Sequence, residues 1–304
     1  MRPAMFSTEM TRDISYAPAV RSRGGRALVR LLETATGRPS LIRRAEGYQK
    51  DIAEGRSLWQ VLPERYGLSL DLMGGDLDAI PRQGPLIVVA NHPFGILDGL
   101  MLGHLLDRAR GDFRILANAV FRRAPELDKV LLPISFDDTR EAAFDDTREA
   151  ARQNLHTRDA ALALLSEGGT IGIFPGGTVS TSLGLFSHPM DPTWRNFTAK
   201  MIAKSGATVL PVFFDGHNSR LFQLASRLHS NLRLGLLVSE FRARTDTPVR
   251  VVIGKPMTAQ SLGSFGNDAS SLMRHLRQVT YALSPRPLSS YALGYEFEAR
   301  YKPR

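Results

Sequence analysis

The chain has 304 residues, of which 43% are hydrophobic and 23% charged, so it can bury a sizeable core and has the composition of a soluble globular protein. It contains no cysteine, which excludes a disulfide scaffold, a cysteine nucleophile and cysteine-ligated zinc. The net charge of +9 divides into +5 over residues 1–60, −4 over residues 61–219 and +8 over residues 220–304, so a mildly acidic centre lies between two basic ends.

The basic ends admit two explanations. They suit a negatively charged partner, such as an anionic membrane surface, an acidic carrier protein or nucleic acid, or they reflect an arginine-rich composition alone. No apolar run reaches the length of a membrane-spanning helix. The N-terminal residues lack an apolar segment and do not look like a signal peptide.

The N-terminal part of the chain is predicted to be helical after an irregular start over residues 1–20. Helices are expected over Gly25–Glu33 and Leu41–Ile52. In the first of them Arg26 and Arg30 stand beside apolar leucines, which is a weakly amphipathic pattern. Such a helix either packs on the core of its own domain or touches a membrane.

Six short apolar runs have the length of strands, and helical patterns separate most of them. The predicted strands are Leu86–Ala90, Phe113–Ala117, Val130–Ile134, Thr170–Phe174, Thr208–Phe214 and Val249–Ile253. The predicted helices between them cover residues 97–109, 147–166, 193–205 and 218–241. This alternation is typical of an α/β fold, so we expect a mostly parallel central sheet flanked by helices, with an N-terminal helical extension.

The predicted domain organisation follows from this pattern. We expect a basic helical extension over residues 1–75 and a catalytic domain over residues 76–258. A helical or irregular tail over residues 259–304 is expected to pack on that domain.

The first motif follows the strand Leu86–Ala90 and contains a histidine and a carboxylate. The segment Asn-His-Pro-Phe-Gly after this strand cannot continue regular structure, because Pro93 lacks a donor N–H and Gly95 permits a left-handed turn. Asp98 then opens a helical pattern. Because the turn can bring His92 and Asp98 together at the carboxyl end of a strand, the pair is a candidate general base, in which the carboxylate orients the imidazole.

The second and third motifs also follow predicted strands. After Thr170–Phe174 come Pro175-Gly176-Gly177 and three hydroxyl side chains, a pattern that can hold a phosphate or an oxyanion on backbone N–H groups, although a glycine pair is more often only a turn. After Thr208–Phe214 comes Asp-Gly-His-Asn-Ser. His217 in that segment either lines the same crevice or lies in a surface loop.

The segment Phe-Asp-Asp-Thr-Arg-Glu-Ala-Ala occurs twice in tandem, at Phe136–Ala143 and Phe144–Ala151. We interpret it as a local duplication, because an eight-residue period is not that of a solenoid. In the second copy, Asp145, Asp146 or Thr147 is expected to cap a helix that continues to Leu165. The four aspartates of the two copies also offer oxygen ligands for a divalent metal, although capping and solvation are far more common uses of such acids. These aspartates are Asp137, Asp138, Asp145 and Asp146.

In this order and at these separations, the three motifs resemble the glycerophospholipid acyltransferases of the lysophosphatidate type. That family is marked by a His-x4-Asp motif, a Phe-Pro-Glu-Gly-Thr motif and a later Val-x-Pro-Val strand. The counterparts here are NHPFGILD, FPGGT and VLPV, and the resemblance covers about residues 80–256. The form NHPFGxxDG is closest to the bacterial hemolysin-like branch, which is associated with acylation of lyso-ornithine lipid and related acceptors.

The resemblance implies a fold like that of the glycerol-3-phosphate acyltransferases and an acyl transfer to the hydroxyl of a lyso-lipid. His92 would be the general base and Asp98 would orient it. The donor would be an acyl thioester of coenzyme A or of acyl carrier protein, with no metal and no bound cofactor. The substrate-binding positions implied by the two motifs are Asn91, Phe94, Gly95, Phe174, Pro175, Gly176, Gly177 and Thr178. Arg123 stands where the family often has a basic residue near the acceptor headgroup, or is a surface charge before a turn.

The sequence departs from the family pattern in two ways. The spacing between His92 and Asp98 is five residues instead of four, so the turn must absorb one extra residue. Gly176 replaces the usual glutamate and Val179 the usual arginine. These two positions help the common enzymes to bind a glycerol-phosphate acceptor, so the replacements favour a different acceptor, such as a lyso-aminolipid.

The implied partners are an anionic membrane surface, a lyso-lipid and an acidic carrier protein, with no nucleic acid, and the implied location is peripheral, on the cytoplasmic side of the cell membrane. Two alternatives stay open. The same dyad could hydrolyse thioesters, although the sequence has no Gly-x-Ser-x-Gly motif of a serine hydrolase. A non-catalytic basic protein that binds membrane or nucleic acid also fits the charge, but no zinc-finger, RRM or KH signature is present.

Overall fold

A seven-stranded sheet forms the centre of the computed structural model, which describes residues 14–20, 22–118, 127, 130–134, 144–184 and 186–297. The strands are β1 (Ser69–Gly74), β2 (Leu86–Ala90), β3 (Phe113–Asn118), β4 (Leu131–Ile134), β5 (Thr170–Ile173), β6 (Thr208–Phe214) and β7 (Pro248–Ile253). Their order across the sheet is β1-β7-β6-β2-β5-β3-β4. Strands β2 to β6 are parallel, β7 pairs antiparallel with β6, and β1 pairs parallel with β7.

Helices cover both faces of this sheet. They are α1 (Arg23–Thr36), α2 (Arg38–Ala45), α3 (Tyr48–Ala53), α4 (Leu58–Arg65), α5 (Ile96–Ala109), α6 (Phe144–Ser166), α7 (Phe197–Ser205), α8 (Arg220–Leu228), α9 (Ser230–Arg242), α10 (Ala259–Leu262) and α11 (Ala269–Ala282). The predicted class, a mostly parallel sheet flanked by helices with N-terminal helices, is confirmed.

The central strand β2 shows why the sequence reads as continuously apolar there. Its residues Leu86, Val88 and Ala90 pack on one face, in the cluster that contains α4, α5 and the N-terminal helices. Ile87 and Val89 pack on the other face, with α6, α7 and α11. Because both faces of a parallel sheet are covered, every residue of the strand is buried.

The N-terminal helices support α5 through a close contact. Gly103 of α5 lies against the indole of Trp59 in α4, and a Cβ at this glycine would stand 2.1 Å from the ring. The indole in turn lies 5.6 Å from the ring of Phe113 in β3. The helix that carries Asp98 is therefore packed directly on the N-terminal segment.

The predicted elements differ from the observed ones at a few places. The helix predicted over Leu41–Ile52 is broken at Gly47, which has a positive φ of 82°. The helix predicted over residues 218–241 is two helices, because His229 is extended with φ −161°. The sequence analysis did not predict β1, and it gave no bounds for α4 or α11, which lie in the segments expected to be helical or irregular. Because β1 lies in the sheet, the sheet extends into residues 1–75. The proposed division into three segments stays a prediction.

Two further sequence features concern metals and membranes. The second copy of the repeat begins α6, whereas the first copy, with Asp137 and Asp138, lies outside the described residues. Among the residues that the structure describes, no group of three or more His, Asp or Glu could hold a metal ion. In the same part of the chain, no helix combines the length and hydropathy needed to cross a membrane.

Candidate active site

The first motif forms a tight turn between β2 and α5. Gly95, with φ 95°, is the residue before the first turn of α5, a backbone conformation that favours glycine. Asp98, in that first turn, accepts hydrogen bonds through Oδ2 from the backbone N–H groups of Phe94 (2.8 Å) and Gly95 (2.9 Å). The carboxylate thus satisfies N–H groups that would otherwise have no partner at the helix start.

The same carboxylate oxygen holds His92. Nδ1 of His92 lies 2.9 Å from Oδ2 of Asp98, so the turn accommodates the extra residue between them. The Asp98 side chain is fully buried, whereas the His92 side chain is 19% exposed. With Nδ1 facing the carboxylate, Nε2 is the ring nitrogen left to exchange a proton with a reactant.

Burial sets the electrostatics of this pair. It raises the pKa of Asp98, and the contacts with His92, Phe94 and Gly95 offset part of this effect because they favour the carboxylate. The Tyr16 phenol is buried nearby, and its pKa is raised above the usual range by burial first and by the Asp98 charge second. The carboxylate therefore lies in a dry environment, in which its attraction for a protonated imidazole is strong.

The second motif lies beside the histidine. Phe174, just after β5, stacks on the His92 ring with 4.3 Å between ring centroids. Gly177, with φ 70°, closes the next turn by donating its N–H to the carbonyl of Phe174 (3.0 Å). That N–H is therefore engaged in the turn, and the expected anion cradle cannot use it without opening the turn.

Asp191 is a buried aspartate that links the two motifs by hydrogen bonds, and the sequence analysis did not single it out. Asp191 accepts through Oδ1 from the backbone N–H of His92 (3.1 Å) and from the hydroxyl of Ser180 (2.5 Å), and through Oδ2 from Nε1 of Trp194 (2.9 Å). The N–H of Ser180 also donates to the carbonyl of His92 (2.8 Å). These bonds fix the backbone that carries His92, the candidate general base.

Asp191 also explains the glycine at position 176. A Cβ there would lie 3.3 Å from Cβ, Cγ and Oδ2 of Asp191. A glutamate at this position would bring a second carboxylate against a buried one. The glycine at position 176 therefore leaves room for the Asp191 side chain, which is a structural reason for the absence of the family's glutamate here.

The second departure from the family pattern is Val179, and a buried arginine contacts this residue. Arg233 of α9 donates to the hydroxyls of Thr178 (2.6 Å) and Thr181 (2.7 Å) and to the carbonyl of Val179 (2.8 Å). Burial lowers its pKa to about 10, so it stays protonated near neutral pH. A guanidinium from a different element thus braces the second motif.

Three predicted substrate-binding residues have structural contacts of their own. The Asn91 amide is buried and bonds both to the carbonyl (2.9 Å) and to the N–H (2.7 Å) of Phe214 in β6. Phe94 is buried, with the guanidinium of Arg244 3.8 Å from its ring centre. Pro175 accepts the N–H of Arg195 through its carbonyl (2.9 Å). Their contact with a substrate stays a prediction.

An open cavity of about 580 Å³ borders Phe94. Its lining contains cations and carboxylates, namely Arg244, Arg250, Arg286, Asp215 and Glu240. His217 also lines this cavity. Both signs of charge are therefore available next to the first motif.

The structure brings together His92, Asp98, Phe174 and the glycine turn, whereas Arg123 lies outside the described residues. Two signals for the missed residues exist in the sequence. Arg233 interrupts an apolar helical run, LRLGLLV, and Asp191 stands between Met190 and Pro192 in an irregular apolar segment.

A histidine backed by a buried carboxylate, at the carboxyl end of a parallel strand, is an arrangement suited to acid–base chemistry. Residues 75–215 match the family model described as Acyltransferase. The lyso-glycine lipid O-acyltransferase of Phocaeicola vulgatus is 24% identical over 216 residues, which are 68% of this chain and 71% of the relative. Residues 75–215, just under half of the chain, are thus similar to the acyltransferase family, and the two matches support an acyltransferase of the lysolipid type.

Among solved structures, the chain is also similar to the crystal structure of the 1-acyl-sn-glycerophosphate acyltransferase PlsC from Thermotoga maritima. The TM-score is 0.45 and the sequence identity 15%, with 88% of this chain and 83% of that chain covered.

Proposed function

We propose that the protein transfers a fatty acyl group from an acyl thioester of coenzyme A or acyl carrier protein to the hydroxyl of a lyso-lipid. The observation that carries this mechanism is the 2.9 Å contact between Nδ1 of His92 and the buried Asp98 carboxylate. Nε2 of His92 removes the hydroxyl proton while the oxygen attacks the thioester carbonyl carbon. The C–O bond forms, the C–S bond breaks, and the imidazolium returns the proton to the departing thiolate.

The remaining parts of the site have defined tasks in this mechanism. Asp98 orients His92 and stabilises the imidazolium. Phe174 limits the rotation of the imidazole by stacking on it. Asp191 and Arg233 position the two motif backbones that flank the reacting atoms.

We propose a lyso-aminolipid as the acceptor. The glutamate and arginine positions of the family pattern hold Gly176 and Val179, and Asp191 occupies the space beside Gly176. The cavity beside Phe94 offers arginines and carboxylates together, which suits a headgroup with both an ammonium and a carboxylate group. The name of the Phocaeicola vulgatus relative, a lyso-glycine lipid O-acyltransferase, supports an amino-acid headgroup.

The proposed place of action is an anionic membrane surface on the cytoplasmic side. The lyso-lipid resides in the membrane, and the basic ends of the chain favour an anionic surface. The absence of cysteine fits a reducing compartment.

The test is a transfer assay with purified protein, an acyl thioester and three acceptors: lyso-glycine lipid, lyso-ornithine lipid and lysophosphatidate. Thiol release and the acylated product are measured together, the product by mass spectrometry. We expect product with an aminolipid acceptor in the parent protein and none in His92→Ala. His156→Ala, which changes an exposed histidine on α6 outside both the dyad and the cavity, is the matched control and should keep the parent activity.

Three results would contradict the proposal. Equal transfer by His92→Ala and the parent protein would reject the dyad. Thiol release with free fatty acid and no dependence on any acceptor would make the protein a thioesterase. A preference for lysophosphatidate would reject the aminolipid acceptor and leave the transfer mechanism in place.

A further inference from the structure

Helix α8 exposes an apolar stripe to solvent, while Phe222 and Ala225 are buried on its inner side. Leu221, Leu224 and Leu228 are 64%, 45% and 69% exposed. Because they are three and four residues apart, they form one stripe along the helix. The opposite side buries Gln223 and Ser226, and both of these side chains leave a polar atom without a hydrogen-bond partner. A surface helix in water normally exposes polar side chains, and an apolar partner would account for the three exposed leucines.

A loop next to the second motif extends the same surface. Ser182 donates its N–H to Oε1 of Gln223 in α8 (2.9 Å), which ties the start of this loop to the helix. In the loop, Leu183 is 60% exposed and Phe186 is 88% exposed. We name the five residues of stripe and loop the apolar rim: Leu183, Phe186, Leu221, Leu224 and Leu228. The rim begins at Leu183, five residues after Thr178 of the second motif, so these two positions are at most about 18 Å apart.

The charges that α8 itself carries have one sign, and the carboxylate of Glu240 accepts hydrogen bonds from Ser219 at the start of that helix. Arg220 and Arg227 of α8 are exposed, and α8 contains no acidic residue. The start of α1 lies against the start of α9, where a Cβ at Gly25 would contact Asn231. Helix α1 adds arginines, and its single acid, Glu33, is buried. Such a surface is complementary to anionic lipid headgroups above an acyl-chain layer.

We propose that the apolar rim inserts into the headgroup–acyl boundary of an anionic bilayer and holds the His92 site over its lipid acceptor. This inference rests on the proposed function for its biological meaning, but binding can be measured without catalysis. Leucine and phenylalanine side chains would enter the acyl region, while Arg220 and Arg227 would contact phosphate groups. The rim would therefore act before any chemical step.

The test is flotation of purified protein with vesicles of phosphatidylcholine that contain phosphatidylglycerol. Leu224→Gln should lower the partition coefficient about tenfold, the effect of removing one inserted leucine. Leu155→Gln is the matched control, because Leu155 is 47% exposed but lies on α6, and it should bind as the parent does. Arg227→Gln should weaken binding about fivefold on anionic vesicles, and hardly at all on pure phosphatidylcholine.

An acyl-transfer assay in detergent micelles separates the two proposals. Rim variants should keep the parent turnover with a micellar acceptor while losing turnover on vesicles. Vesicle binding that depends on the rim, together with no acyl transfer by the parent protein or any variant, would support the membrane-binding proposal and reject the proposed function. Unchanged vesicle binding by Leu224→Gln and Phe186→Ser would reject the rim, as would a dimer in sedimentation that these variants abolish without affecting vesicle binding.

Discussion

The substitution Asp98→Asn tests the dyad most directly. The side chain keeps its shape, and an oxygen at the Oδ2 position still accepts from the N–H groups of Phe94 and Gly95 and faces Nδ1 of His92. What the variant loses is the negative charge that stabilises the imidazolium as the proton moves. The expected effect is therefore on turnover, with little change in the position of the ring.

The size of this effect follows from the geometry. At a charge separation of roughly 4 Å and an effective dielectric constant of about 20, the attraction is about 4 kcal/mol. Lost from the transition state alone, this energy corresponds to about a 1,000-fold decrease in kcat. The amide nitrogen would lie at the Oδ1 position, which is buried without a hydrogen-bond partner, so we also expect a stability loss of about 1–3 kcal/mol.

The assay is steady-state thiol release with saturating acceptor, and thermal unfolding shows whether the variant is folded. Asp107→Asn is the matched control. It makes the same chemical change on the same helix, where the carboxylate accepts from Ser57 (2.8 Å) and Gln60 (3.2 Å). A folded Asp98→Asn protein with turnover within tenfold of the parent would refute the role of Asp98.

The remaining predictions concern stability and follow from burial. Burial raises the folded-state pKa of Asp98, so the parent loses stability as the pH rises above the ordinary carboxyl pKa of about 4 and Asp98 ionises in the folded protein. In chemical denaturation, the stability of Asp98→Asn relative to the parent should therefore increase with pH over this range, and a constant difference would contradict this. Gly103→Ala should lower the free energy of unfolding by about 1–3 kcal/mol through the clash with the α4 indole. Gly99→Ala is the control on the same helix, because a Cβ there has nothing within 4 Å, and it should raise the free energy of unfolding by up to about 1 kcal/mol. Equal changes in the two variants would show that the structure relieves the clash at Gly103. Arg233→Lys cannot make all three hydrogen bonds of the guanidinium, so it should lower the free energy of unfolding by about 3 kcal/mol. The control Arg227→Lys, at an exposed position, should cause no measurable loss.

The sequence predicted the central strands well because they are buried on both faces. Leu86–Ala90 and Thr208–Phe214 have the predicted bounds, since an unbroken apolar run between turn residues has few other structures. The edge strand β1, Ser69–Gly74, was not predicted, because it is half exposed and its leucines alternate with polar residues such as Asp71. The break at His229 has no glycine or proline to announce it, so a single helix was the natural reading.

The candidate site was predictable where its residues are close in sequence. His92 and Asp98 share one turn, so their contact follows from local geometry. Asp191 and Arg233 come from distant segments, 99 and 141 positions after His92, and meet the motifs only through tertiary packing. Their residue types are ordinary in isolation, and the environment that makes them informative, complete burial beside the motifs, exists only in the fold.

The contact between Gly103 and Trp59 has a practical consequence for anyone who trims this chain. The family match begins at residue 75, and a fragment cut there would keep both motifs while removing the indole on which α5 rests. The surface of α5 that packs on the N-terminal helices would then be exposed to solvent. The helix that carries Asp98 would lose the packing that supports it. Such a fragment would fail as a minimal enzyme even though every motif residue is present.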